Sequence, residues 1–81
     1  MNPFSPEPLL QRMLQIDAEL IEPSASKEAK HFMEFGECGL AYDVLVFEIE
    51  DKKYMPSTEG LELIKQSAIA LGLVFPQLST S

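Results

Sequence analysis

Apolar residues recur every three or four positions in three stretches of the chain, as expected for amphipathic helices. The first stretch opens with Ser5 and Pro6, which favour a helix start, and stops before Pro23 because the residue preceding a proline disfavours helical angles. Its apolar stripe consists of Leu9, Met13, Ile16 and Leu20, widened by Leu10, Leu14 and Ile21. We expect one continuous helix over this stretch.

The second and last stretches carry their own start and stop signals. Ser24 or Ser26 is expected to cap the second helix, and Gly36 to end it in the left-handed conformation. Its apolar face is Ala29, Phe32 and Met33.

The last helix is expected to begin after Ser57 or Thr58 and to close at Gly72, with Leu73 folding back as in a Schellman motif. Gly60 lies near its start, where a glycine costs least. The apolar positions of this helix are Leu61, Ile64, Ala68 and Leu71, backed by Leu63 and Ile69.

The stretch from Gly39 to Glu50 is ambiguous, because its β-branched residues favour a strand. No other segment offers a pairing partner, and a lone strand is unstable, so we favour a helix and keep the strand as the alternative. As a helix it has one broad apolar arc of Cys38, Ala41, Tyr42, Leu45, Val46 and Ile49, and a second of Leu40, Val44 and Phe47. A helix that is apolar on two sides is expected to lie centrally between neighbours. The sequence therefore predicts an all-α fold, a compact bundle of about four helices in a single domain over residues 1–81.

Charge narrows the class of partner. The 81 residues include 13 acids and 6 bases, for a net charge of −7. Six of the acids lie between Glu34 and Asp51, where there is no Lys or Arg. This balance argues against binding nucleic acid or an anionic membrane, and it favours a basic protein as partner. A purely solubilising role for the acids is the alternative.

Residue types that carry catalysis or bind cofactors are scarce. Cys38 is the only cysteine and His31 the only histidine, so we expect no metal site, no cofactor and no internal disulfide. Asp43 and Glu50 could pair as acid and base, but four short helices leave little room for a substrate pocket. We expect a protein that is not an enzyme. Without a visible signal peptide or a bilayer-spanning apolar run, the cytoplasm is the expected location.

A resemblance to a known family is carried by the run from Phe32 to Leu45, FMEFGECGLAYDVL. A helix ends in Gly-Glu, Leu-Ala follows two residues later, and an apolar helix with acids comes next. This run resembles the MafI-like and contact-dependent growth inhibition immunity proteins of bacteria. The run MPSTE at 55–59 and Leu71-Gly72-Leu73 are similar to the family's closing helix. Cys38 departs from the pattern, in which Tyr is more common.

The resemblance implies an α-helical cytoplasmic protein that binds and blocks a cognate toxin domain, commonly a nuclease. An acidic inhibitor suits a nuclease, whose surface is basic because its substrate is a polyanion. The candidate contact residues are Asp43, Glu48, Glu50 and Asp51, with Tyr54 as an aromatic anchor. Asp43 with Glu50, and Glu48 with Asp51, form two separate lines on a helix, of which one is expected to face the partner. An acidic adaptor or regulator of another basic protein, or a homodimer, is the alternative.

Overall fold

The computed structural model describes residues 5–76, and every regular element in that range is an α-helix. Helix α1 spans Pro6–Ile16, α2 spans Pro23–Glu34, α3 spans Cys38–Glu50 and α4 spans Thr58–Leu71. The predicted small all-α bundle is confirmed. The segment after Gly39 is helical despite its β-branched residues, because no strand in the described range could pair with it.

The helices pack mainly as two pairs. The first helix lies chiefly against α4, and α2 lies chiefly against α3, while the remaining contacts between helices are smaller. The shared core is formed by residues from all four helices and the connections between them: Leu10, Met13, Leu14, Ile21, Ala25, Ala29, Met33, Ala41, Tyr42, Leu45, Val46, Ile49, Tyr54, Ile64 and Ala68. Within residues 5–76, none of the helices combines the length and the apolar character needed to cross a bilayer.

Three of the four helices end in the same way. The N–H groups of Glu37, Lys53 and Leu73 donate to carbonyl oxygens five residues earlier, at 2.9, 3.0 and 2.8 Å. The preceding residue is left-handed each time, with φ of 73° at Gly36, 63° at Lys52 and 75° at Gly72. These are Schellman endings, and the two at glycine confirm the predicted helix stops. The ending at Lys52 was not predicted, because lysine rarely adopts this conformation.

Helix α1 is shorter than the apolar stripe predicts. It ends at Ile16, and a turn follows in which the N–H groups of Leu20 and Ile21 both donate to the Asp17 carbonyl, at 2.9 and 3.0 Å. The prediction of one helix reaching to Pro23 is therefore wrong. The turn buries Ile21 and leaves Leu20 about half exposed, although Leu20 continues the helical stripe in the sequence.

The helix starts agree with the predictions in part. Helix α2 begins at Pro23, so Ser24 and Ser26 lie inside its first turn and neither is the cap. Ser57 does cap α4, because its Oγ accepts from the N–H of Gly60 at 3.1 Å. Helix α4 buries Ile64 and Ala68 as expected, but Ile69 is exposed.

Helix α3 is covered on one side only. The broad arc that includes Ala41, Leu45 and Ile49 is buried, as predicted. The second arc is not enclosed by neighbours, since Leu40 and Phe47 are 44% and 62% exposed. Helix α3 does contact each of the other three helices, as expected of a central helix, but these contacts leave its second apolar arc largely open.

Candidate protein-binding surface

The uncovered arc of α3 forms an apolar stripe of Leu40, Val44 and Phe47. Their spacing of four and three residues places them on one line, since an α-helix turns about 100° per residue. Val44 is half-buried between the two exposed side chains. A line of large apolar side chains facing water is unfavourable in a free protein, and it is characteristic of surfaces that become covered by a partner.

Acidic side chains flank this stripe on both sides. From the helical rotation, Asp43 and Glu50 fall on one flank and Glu48 on the other, while Asp51 lies beyond Phe47 at the end of the stripe. Asp43, Glu50 and Asp51 are exposed, but Glu48 is only 9% exposed. Glu48 and Asp51 were predicted to share one line along the surface of the helix. In the structure Glu48 is largely buried whereas Asp51 is exposed, so the two do not form one accessible line.

The described ion pairs leave most of these acids unneutralised. Within residues 5–76 the ion pairs join Arg12 to Glu59 at 3.4 Å and Lys53 to Asp51 at 3.5 Å. Asp51 is therefore partly compensated by a solvent-exposed and weak interaction. Asp43, Glu48 and Glu50 have no ion-pair partner in the described part of the chain. Of these, Asp43 and Glu50 are exposed, so their charge is available to attract a cation from outside.

A groove lies beside the stripe, between α3 and α2. It has a volume of about 500 Å³. One wall consists of the α2 residues Ser24, Ala25, Glu28 and Phe32. The other consists of the α3 residues Leu40, Asp43, Val44, Phe47 and Glu48. Sequence reasoning missed Glu28 and Phe32 as members of this surface. Their four-residue spacing on α2 was visible, but the pairing of α2 with α3 was not.

Tyr54 does not belong to this surface. It is 1% exposed, and its hydroxyl donates to Oδ2 of Asp17 at 2.5 Å. Tyr54 was predicted to be an aromatic anchor for the partner, but a contact residue must be accessible, and the structure places this side chain inside the core. The Schellman ending at Lys52 turns the chain back over the end of α3, and Tyr54 follows two residues later inside the core.

Asp17 is the centre of a buried polar cluster with Tyr54, Ser57 and Gly60. The Ser57 N–H donates to Oδ2 at 3.1 Å and the Ser57 hydroxyl donates to Oδ1 at 2.6 Å. The same hydroxyl oxygen accepts from Gly60, so the carboxylate is linked to the N-terminus of α4, where a negative charge is stabilised. Burial, the hydrogen bond to Asp17 and its charge together raise the pKa of Tyr54 well above its ordinary range. The cluster joins α1 to α4 and has a structural role.

The remaining groups with possible chemistry are dispersed. Cys38 is half-buried, and burial, followed by the charge of Glu7, raises the pKa of its thiol, which disfavours the reactive thiolate. His31 is exposed and packs edge-on against Phe35 at 5.0 Å between ring centres. Over residues 5–76, no three side chains of His, Cys, Asp or Glu type lie together as metal ligands would.

Comparisons with protein-family models, curated proteins and solved structures find no match for this chain. In the part of the chain that the structure describes, the distinguishing surface is an exposed apolar stripe flanked by Asp43 and Glu50, which lack an ion-pair partner there, beside a groove between α2 and α3.

Proposed function

We propose that this protein is an immunity protein that binds a cognate bacterial toxin domain, through the stripe of Leu40, Val44 and Phe47 and the acids around it. The observation that carries the proposal is that one helix face combines large exposed apolar side chains with carboxylates that have no ion-pair partner among residues 5–76. Apolar side chains at the centre of an interface supply most of the binding free energy, and charges at the rim give specificity and fast association.

A nuclease is the class of toxin that best suits this surface. Its substrate groove is lined by Lys and Arg that contact phosphates, and Asp43 and Glu50 would face such cations as phosphates do. An inhibitor bound there excludes the substrate without any catalysis of its own. The proposed site of action is the cytoplasm of the cell that must be protected.

The run that resembles the immunity-protein family overlaps this region. It extends from Phe32 to Leu45 and comprises the end of α2, its Schellman turn and the first half of α3. These elements supply parts of both walls of the groove. The resemblance implies the class of protein, whereas the contact residues are proposed from the exposed side chains alone.

A symmetric homodimer is less compatible with the same surface. In a two-fold dimer the patch on one copy faces the same patch on the other. Asp43 and Glu50 would then approach their own copies without cations between them, which is repulsive. An adaptor for another basic protein remains the alternative, and a toxin gene beside this gene would separate the two hypotheses.

The test is binding to the C-terminal domain of the toxin encoded beside this gene, inactivated at its catalytic residue. Charge reversal in Asp43→Lys/Glu50→Lys, and separately in Glu48→Lys/Asp51→Lys, is expected to slow association by at least about tenfold at low salt. Because Glu48 is largely buried, binding is compared only for variants that keep the helical circular dichroism spectrum. The control, Glu19→Lys/Glu62→Lys, makes the same change in net charge at exposed positions away from the stripe. Wild-type binding by both test variants would show that these acids are only solvated charges.

A further inference from the structure

The groove between α2 and α3 restricts the shape of what can occupy it. On each wall its lining residues extend over nine positions, Ser24 to Phe32 and Leu40 to Glu48. At 1.5 Å per residue each wall is about 12 Å long, a little over two helical turns. This length suits a short segment of a partner and is too small for a folded domain to enter.

The walls also restrict the secondary structure of that segment. Both are α-helices, whose interior N–H and C=O groups are hydrogen-bonded within the helix. An added strand needs a free sheet edge with unpaired backbone groups, and the groove provides none. A helix needs only side-chain contacts, because its own backbone is already satisfied. An amphipathic helix is therefore the element that such a groove binds best.

Charge then determines the pattern on that helix. The apolar part of the lining consists of Ala25 and Phe32 on α2 and of Leu40, Val44 and Phe47 on α3. Acids occur on both walls, with Glu28 on α2 and Asp43 and Glu48 on α3. A helix with Lys or Arg along one edge only would leave one of these carboxylates without a partner. Cations on both edges of the apolar face would meet both walls.

We propose that the groove binds a basic amphipathic helix of the partner, with apolar side chains at i, i+4 and i+7 between the two walls and Lys or Arg on both edges. The inference rests on the proposed function for the identity of the partner, but its physical basis is the groove alone. The three apolar positions span about 10 Å, which matches the two-turn length.

A synthetic peptide tests this on the full chain. The probe is an Ala-based peptide of about 15 residues, long enough to form a helix when bound, with three Leu at i, i+4 and i+7 and Lys on both edges. Its control has the same composition with the Leu residues distributed around the helix. Amide chemical-shift changes are expected to concentrate in residues 24–32 and 40–48, with binding at least about tenfold tighter than that of the control peptide. Equal binding of the two peptides, or shifts outside the groove, would overturn the inference.

Two pairs of variants make the result specific. Leu40→Ser/Phe47→Ser is expected to weaken peptide binding about tenfold or more, and Ile69→Ser, at an even more exposed apolar residue of α4, is expected to leave it unchanged. Glu28→Gln/Asp43→Asn is expected to weaken binding and to reduce its salt dependence more than Glu19→Gln/Glu62→Gln does, although both remove two charges. Equal effects within either pair would contradict the proposal.

The same measurements separate this inference from the proposed function. If the peptide binds in the groove but the neighbouring toxin domain does not bind, the groove inference stands and the immunity function fails. If the toxin domain binds and protects amides only outside residues 24–32 and 40–48, the immunity function stands and the groove inference fails.

Discussion

The carboxylate of Asp17 occupies the space that a side chain at position 60 would need. A Cβ built on Gly60 would overlap Oδ2 of Asp17 and would lie 3.0 Å from its Cγ and 3.2 Å from Oγ of Ser57. Gly60 lets the first turn of α4 approach the end of α1 closely enough for the buried carboxylate to bind Ser57. A substitution here displaces a hydrogen-bonded group that has no free space around it.

We expect Gly60→Ala to destabilise the protein by about 1–3 kcal/mol or more, because overpacking forces the Asp17 cluster apart. Gly39→Ala is the matched control, since a Cβ at Gly39 meets nothing within 4 Å and that residue also lies early in a helix. The control is expected to be neutral or to stabilise by up to about 1 kcal/mol. Chemical denaturation measures both, and similar stabilities for the two variants would contradict the packing argument.

The hydrogen bond from Tyr54 to Asp17 is expected to contribute measurably to stability. Tyr54→Phe removes a bond to a buried carboxylate and should cost about 1.5–3 kcal/mol. Asp17→Asn should cost at least as much, since the NH2 group of the new side chain would replace one carboxylate oxygen and would face a donor of Ser57 in either orientation.

Tyr42→Phe is the control for this prediction. Tyr42 is also buried, but its hydroxyl has no hydrogen-bond partner among the described residues, so removing that hydroxyl is expected to be neutral or stabilising. Urea unfolding of the three single variants, and of Asp17→Asn with Tyr54→Phe, gives the coupling between the two residues. A loss for Tyr42→Phe as large as that for Tyr54→Phe would count against the cluster.

Alkaline pH is expected to unfold the protein through its two tyrosines. Burial is the main cause that raises both pKa values, with the Asp17 hydrogen bond adding at Tyr54 and the charges of Asp43 and Glu50 at Tyr42. The folded state keeps both protons where the unfolded chain loses them, above pH of about 10. Stability is therefore unaffected by these groups below that pH and falls as pH rises above it.

Tyrosinate absorbance and far-ultraviolet circular dichroism, followed together against pH, test this prediction. Absorbance is expected to rise only with loss of helix, whereas the chain in concentrated urea should titrate near pH 10. Ordinary titration of both tyrosines with the helices intact would refute it.

A substitution to aspartate is expected to unfold the protein on the buried face of α3 and to be tolerated on the exposed face. Leu45 is fully buried, and Leu45→Asp should unfold the protein, because an unpaired buried charge costs several kcal/mol. Phe47→Asp, two residues along the same helix but largely exposed, should retain the helical spectrum with a loss below about 1 kcal/mol. Loss of folding in the second variant would mean that the stripe is needed for the bundle and is not a free surface.

Helix content was predictable from the sequence because it depends on local patterns. The apolar arc of Leu45 and Ile49, the cap at Ser57 and the left-handed stops at Gly36 and Gly72 are each encoded within a few residues. The end of α1 was not predictable in this way. Leu20 continues the stripe, but the helix stops at Ile16, and the side chain of the next residue, Asp17, binds Ser57, which is 40 residues away in sequence.

The candidate surface was predictable only in part for the same reason. Asp43 and Glu50 could be placed on a helix face from their spacing alone. Whether the second apolar arc would be covered depended on how the four helices pair, and no local pattern specifies that. Tyrosine is common at protein interfaces, but the turn at Lys52 places Tyr54 in the core. The sequence does not indicate that turn, because lysine rarely adopts the left-handed conformation.

Because α1 packs chiefly on α4, its main partner is synthesised only after α2 and α3 have been made. Until residues 58–71 have been synthesised, Leu10, Met13 and Leu14 have only minor contacts available to cover them. The pair of α2 and α3 can form earlier, from neighbouring parts of the chain. Nascent chains that stall before α4 should therefore display a stable helical hairpin together with an unshielded first helix, the state in which chaperones would recognise them.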